Sequence, residues 1–211
     1  MKKVINSLAL AIAITIAGTA TAQNAHESSV KFNKNNENAV VADYEATAEV
    51  VEGALKNRLE KEGLGKMKTS KGFMVYSGVL WNSVSNEKID VYFKVEGKKD
   101  RATLSVLISK GYDNFVTSGS DSRTIVNVKA FLNSFINDAK AYQLRLSIAA
   151  QEKVVKEVEK DMKGSAEDGE KLLRDKEKVE KQIAENKTEQ GKKQTVVDAE
   201  KKKLEEPKAQ L

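Results

Sequence analysis

The sequence predicts an α+β fold: two helices on one face of a three- or four-stranded antiparallel sheet, followed by a long charged helical, coiled-coil C-terminal arm. Three observations predict it. Two alternating stretches, Ile89–Val95 and Ala102–Ile108, flank Gly97-Lys98-Lys99-Asp100 and read as a β-hairpin. Two other stretches carry apolar residues at three- and four-residue spacing and read as amphipathic helices. Finally, every Trp, Phe and Tyr lies before Leu144, and from there to Leu211 roughly half the residues are charged.

The chain opens like a targeting signal. Lys2 and Lys3 form a basic start, Leu8–Ala17 is apolar, and Ala20-Thr21-Ala22 is a small-x-small cleavage site before Gln23. The apolar run is shorter than the ~20 residues that span a bilayer, so an anchor is the weaker reading. No Cys follows, which excludes a lipid on that residue. The expected divisions are a signal peptide over 1–22, a disordered leader over 23–40, an α+β domain over 41–143 and an arm over 144–211. The expected location is periplasmic, with secretion as the other destination.

The leader clusters Asn33, Asn35, Asn36 and Asn38 and shows no periodicity. Asp43 is a plausible N-cap for the first helix, whose stripe is Ala48, Val51, Leu55 and Leu59; Gly63 ends it, with Leu64 as the apolar contact of a Gly C-cap. Phe73–Trp81 reads as a strand of undecided facing. One register turns Phe73, Val75, Val79 and Trp81 inward and the other turns Met74, Tyr76 and Leu80; Gly78 marks a bulge or a close approach.

In the hairpin, Val95 faces Ala102, Phe93 faces Leu104, Val91 faces Val106 and Ile89 faces Ile108, with Glu96 opposite Arg101. Phe115-Val116 has room for a short fourth strand. Asp121 is a good N-cap for the second helix, whose stripe is Ile125, Val128, Leu132, Phe135 and Ala139, thickened by Phe131 and Ile136.

No breaker appears from Ser122 to Lys163. Beyond Tyr142 a second stripe begins in a new register, through Leu144, Ile148, Val155, Val158 and Met162, then Leu172, Val179, Ile183, Val197 and Leu204. Gln151, Lys176, Asn186 and Gln190 dilute it. Gly164-Ser165 and Gly169 favour a helical hairpin turning at 164–169, which sets Met162 near Leu172 and Val155 near Val179. A continuous helix pairing with another molecule, and a single solvated helix held by pairs such as Glu152–Lys156, are the other arrangements. The coiled-coil contact residues are Ile148, Val155, Val158, Met162, Leu172, Val179 and Ile183.

Little in the sequence points to chemistry. There is no Cys, which removes thiol catalysis and Cys-based metal sites, and the single His, His26, lies in the polar leader. No phosphate loop, Ser-nucleophile motif or His-Glu metal helix is present. The formal charge of +5 falls to +3 without Lys2 and Lys3, a mixed surface with no basic stripe for nucleic acid. No cofactor, metal or catalytic residue is therefore expected.

Two candidates for ligand binding stand out: the outward sheet face, through Tyr92, Lys94, Thr103 and Ser105, and the loop Tyr112-Asp113-Asn114-Phe115. An ordinary wet sheet face and an ordinary turn are the plainer readings.

The signal end Ala20-Thr21-Ala22-Gln23, the segment Val91–Lys99 followed by Ser109–Phe115, and the Lys/Glu-rich C-terminus together resemble a class of uncharacterised exported proteins from Bacteroidota. Small domains similar to the TATA-binding-protein half-fold occur among them, so the resemblance implies a shape and transfers no activity. The sequence thus leads to the expectation of a non-enzymatic periplasmic interaction or scaffold protein. It would meet a protein partner or a second copy through its arm, and carry no transmembrane segment in the mature chain. The alternative is an envelope module binding a peptide or glycan on the sheet face.

Overall fold

The computed structural model describes residues 25–112 and 114–208. Six antiparallel strands form one sheet: β1 (His26–Phe32), β2 (Asn35–Tyr44), β3 (Lys68–Ser70), β4 (Phe73–Leu80), β5 (Lys88–Lys98) and β6 (Arg101–Ser109), in the order β1-β2-β6-β5-β4-β3. Helix α1 (Ala48–Lys61) separates β2 from β3, and α2 (Ser122–Lys208) follows the sheet. The α+β class holds, and the sheet has six strands rather than three or four. The expected signal peptide lies outside the described residues.

The hairpin at the centre of the sheet is β5–β6, but its register differs from the expected one by two residues. Lys98 pairs with Arg101, Val95 with Leu104, Phe93 with Val106 and Val91 with Ile108. The loop is therefore only Lys99-Asp100, with Lys99 at φ 55°. A two-residue slip leaves every side chain on its original face, because the strand period is two, so the apolar face survives the change. Gly97 is paired with Ala102, and a Cβ there would lie 2.4 Å from the Arg101 carbonyl oxygen; only glycine fits. Glu96 faces Thr103, not Arg101, and pairs with Lys94 at 2.7 Å.

The largest correction concerns the leader. Residues expected to be disordered over 23–40 form β1 and most of β2. Their two-residue turn is Asn33-Lys34, with φ of 48° and 74°. Both residues thus sit in the left-handed region that suits a tight hairpin. Asp43, expected as a helix cap, is a strand residue of β2 whose carboxylate accepts a hydrogen bond from Thr103. The N-cap of α1 is Thr47, whose hydroxyl accepts from the Val50 N–H at 3.3 Å.

The C-terminus of α1 follows expectation. Gly63 has φ 72°, its N–H bonds the Glu60 carbonyl, the Leu64 N–H bonds the Leu59 carbonyl, and Leu64 is buried. Asp121 caps α2 by accepting from the Thr124 N–H at 3.1 Å. Phe115 makes only an isolated bridge to Ser109.

Strand β4 answers its facing question with both registers. The pairing with β5 shifts between Tyr76 and Val79, around Gly78 at φ 62°. Met74 and Tyr76 face the helices before the bulge, Val79 and Trp81 after it, and Phe73 and Val75 point the other way.

Two cores result. The larger packs the stripes of α1 and of α2 up to Ala139 against Val91, Phe93, Leu104, Val106 and Ile108. Tyr44 crosses it and donates to the Leu132 carbonyl at 2.8 Å; burial holds its phenol protonated. The smaller core lies on the opposite face: Phe32, Ala39, Val41, Phe73, Val75 and Leu107. Phe32 is on β1 and Phe73 on β4, four strand spacings away, or ~19 Å across a flat sheet. Their ring centroids are 5.4 Å apart. The sheet must therefore curl strongly, closing the β1–β2 turn onto the β3–β4 turn, where Lys71 donates to the Asn33 side chain.

Helix α2 is unbroken through Gly164, Ser165 and Gly169, so the chain does not reverse at 164–169 as expected. By contacts the chain divides into two units, Met1–Ser147 and Ile148–Leu211. In the second, every described side chain from Ile148 to Leu204 is exposed.

Candidate functional site

The four residues expected on the outward sheet face do share it, but they do not form an open surface. Ser105 is buried, at 4 % exposure. The Tyr92 ring packs edge-on against Phe32 at 4.9 Å and lies 5.8 Å from Phe115. The Lys94 ammonium sits over the Phe73 ring, 5.6 Å from its centroid, while pairing with Glu96. Thr103 donates to Asp43 at 2.5 Å. Because the sheet curls, this face is largely occupied by its own aromatic residues, and what sequence alone presented as a wet platform is a second core. Of the neighbouring loop, Asp113 lies outside the described residues; Tyr112 has φ 52° and is fully exposed.

Two polar clusters border the larger core. In the first, Glu62 at the end of α1 accepts from the Trp81 indole N–H, from Arg58 Nε at 2.6 Å and from Ser83 at 2.9 Å. Burial alone would raise its carboxyl, but Trp81, Arg58 and Ser83 together hold it below the ordinary value. Arg58 also reaches Asp138 of α2 at 2.7 Å and lies over the Phe131 ring. This cluster ties the two helices and the Trp81 loop together, and its groups are consumed by one another.

In the second cluster, Lys110 bridges Glu87 at 3.0 Å and Asp121 at 3.1 Å. The N–H and hydroxyl of Thr124, and then Lys110, bring the Asp121 carboxyl down to about 2. A carboxylate held that firmly ionised caps a helix well and exchanges protons poorly at neutral pH. Among the described residues no group of three or more His, Asp or Glu is placed to hold a metal ion, and no helix is long and apolar enough to cross a membrane.

The remaining candidate is the arm. Ile148, Val155, Val158, Met162, Leu172, Val179 and Ile183 are 45–69 % exposed, as are Val197 and Leu204. Their spacing alternates four and three residues in one unbroken series from Ile148 to Leu204, through Gln151, Ser165, Gly169, Lys176, Asn186, Gln190, Lys193 and Glu200. The phase is kept across the glycines. A chain reversing there would have no reason to keep it, whereas one continuous helix pairing along its whole length requires it. That preserved phase is present in the sequence itself, although Gly164 and Gly169 are residues that ordinarily break a helix.

Comparison with protein-family models, curated proteins and solved structures found no match for this chain.

Proposed function

We propose that the protein is a non-enzymatic interaction protein of the cell envelope, in which the α+β unit is a self-sufficient folded body and the arm is one strand of a coiled coil with a protein partner. The exposed seam from Ile148 to Leu204 is the observation that supports this reading.

The energetics favour a partner. Gly164, Gly169 and Gly191 each cost a helix about 1 kcal/mol relative to Ala. The intrahelical ion pairs, such as Lys163–Glu167, Glu170–Arg174 and Glu189–Lys193, return about 0.2–0.5 kcal/mol apiece on a solvated surface. Local terms therefore roughly cancel. Burying one Val, Leu, Ile or Met is worth about 1.5–3 kcal/mol, and the seam offers nine. Only association supplies a term of that size.

The alternative, a peptide or glycan module on the outward sheet face, has weaker support because Tyr92 and Ser105 are engaged in the second core.

The test is affinity capture from native envelope extract with the mature chain as bait, beside the double variant Val155→Asp/Val179→Asp and a chain ending at Ser147. A partner held by the intact chain and lost from both others is expected. The same partner retained by the chain ending at Ser147 would move the interaction onto the α+β unit and sink this reading.

A further inference from the structure

The charges bordering the seam identify the kind of helix that fits it. In a two-stranded coiled coil written abcdefg, residues a and d form the seam, and e and g flank it and set partner choice. With Ile148, Val155, Met162 and Ile183 at a, and Val158, Leu172 and Val179 at d, the e positions include Glu152, Glu159 and Glu180, and the g positions include Asp161, Asp168 and Asp175. From Glu152 to Gln182 no e or g position carries Lys or Arg, although the stretch is rich in lysine. Its cations, such as Lys153, Lys160 and Lys171, occupy outward positions, apart from Lys176 in the seam itself. The sorting of acid to the border and base to the outside belongs to this stretch; beyond it the border is mixed, with Lys187, Lys201 and Lys203 beside Glu189.

We infer that the occupant of the seam between Ile148 and Ile183 is a heterologous helix with an apolar heptad seam and basic e and g flanks, rather than the same stretch of a second copy of this chain; the inference rests on the reading of the arm as a coiled-coil strand. Two copies in parallel register set Asp175 against Glu180. Two antiparallel copies centred near residue 167 stack Val155 on Val179 and Met162 on Leu172, but they also set Asp168 on Asp168, Asp161 on Asp175 and Glu152 on Glu180. A partner with basic flanks meets all six carboxylates with opposite charge and suppresses self-pairing by the same device.

The experiment uses the whole mature chain and three synthetic helical peptides of about five heptads. Two share one Ile/Leu seam and differ only in carrying Lys or Glu at every e and g position; the third keeps the Lys flanks but has Ser throughout its seam. Binding is read by fluorescence anisotropy at low and high salt, and the mass of the free chain by light scattering. The expected result is a monomeric chain that binds the Lys-flanked apolar peptide at least ~10-fold tighter than the Glu-flanked one, with a gap that narrows as salt screens the pairs. A variant carrying Glu152→Lys, Glu159→Lys, Asp161→Lys, Asp168→Lys, Asp175→Lys and Glu180→Lys should invert the order.

Equal binding of the two apolar peptides, or a stable dimer of the chain that admits neither, would overturn the inference while leaving the arm a contact strand. Equal binding of the Ser-seam peptide would show that the apolar seam is not used and overturn the coiled-coil reading as well. A monomer that binds none of the three would overturn both the inference and the reading it rests on.

Discussion

Lysine occupies a left-handed backbone position in three turns: Lys34 at φ 74°, Lys71 at 52° and Lys99 at 55°. A side chain there costs about 1–2 kcal/mol, and the freedom glycine loses on folding is worth about 0.5–1 kcal/mol. Lys34→Gly should therefore stabilise the α+β unit by about 0.5–1 kcal/mol, seen as a higher urea midpoint at unchanged slope. These lysines also explain why sequence reading misplaced the turns. Asn-Lys in place of Asn-Gly hid the first hairpin, and Lys98 before Lys99-Asp100 made a two-residue loop look like four.

Asp121 carries the pH prediction at the same scale. Its carboxyl lies at about 2 in the folded protein and near ~3.9 in the unfolded chain. The folded value is the lower one, so its contribution is complete above about pH 4 and is lost as pH falls toward 2. Asp121→Ala should cost about 1 kcal/mol at neutral pH, the usual worth of such a cap, with the deficit shrinking as pH falls through about 2 in parallel urea titrations.

The element that sequence reading valued most, the β5–β6 hairpin, is where it was expected, and the stripes of both helices are buried as expected. The second face of the sheet was not legible. Its cluster draws Phe32 from β1, Phe73 from β4, Tyr92 from β5 and Phe115 from the loop beyond β6, and alternation within any one strand cannot reveal that curvature brings them together. Because Phe32 is buried among three rings, Phe32→Ala should cost about 3–5 kcal/mol in chemical unfolding, as for an interior aromatic residue. A residue on an open sheet face would lose far less.

The arm supports a prediction of the opposite sign. Gly164 lies inside a continuous helix with open space where its Cβ would be. Gly164→Ala should raise helicity by circular dichroism, worth about 1 kcal/mol locally, where a reversal of the chain at this point would make the substitution harmful.

At the scale of the whole molecule, every buried residue among those described lies at or before Ala139. The α+β unit thus owns both of its cores, and a chain ending at Ser147 should show a thermal transition within a few degrees of the same unit in the intact chain. The arm was legible in the sequence as a charged, sparsely apolar helix, and the apolar residues of its second stripe are exposed.

The curl of the sheet has a further consequence, for aggregation. A sheet can recruit another chain only along its outermost strands. Here β3 is three exposed polar residues, Lys68, Thr69 and Ser70, too short to template much. At the other border β1 carries Glu27 and Lys31, and Ala25 and Glu27 are fastened to Asn133 and Lys129 of α2. Both borders are blunted, so uncontrolled strand addition has little to work with. If the proposed association through the arm holds, it uses a helical face, where heptad phase and flanking charge discriminate between partners.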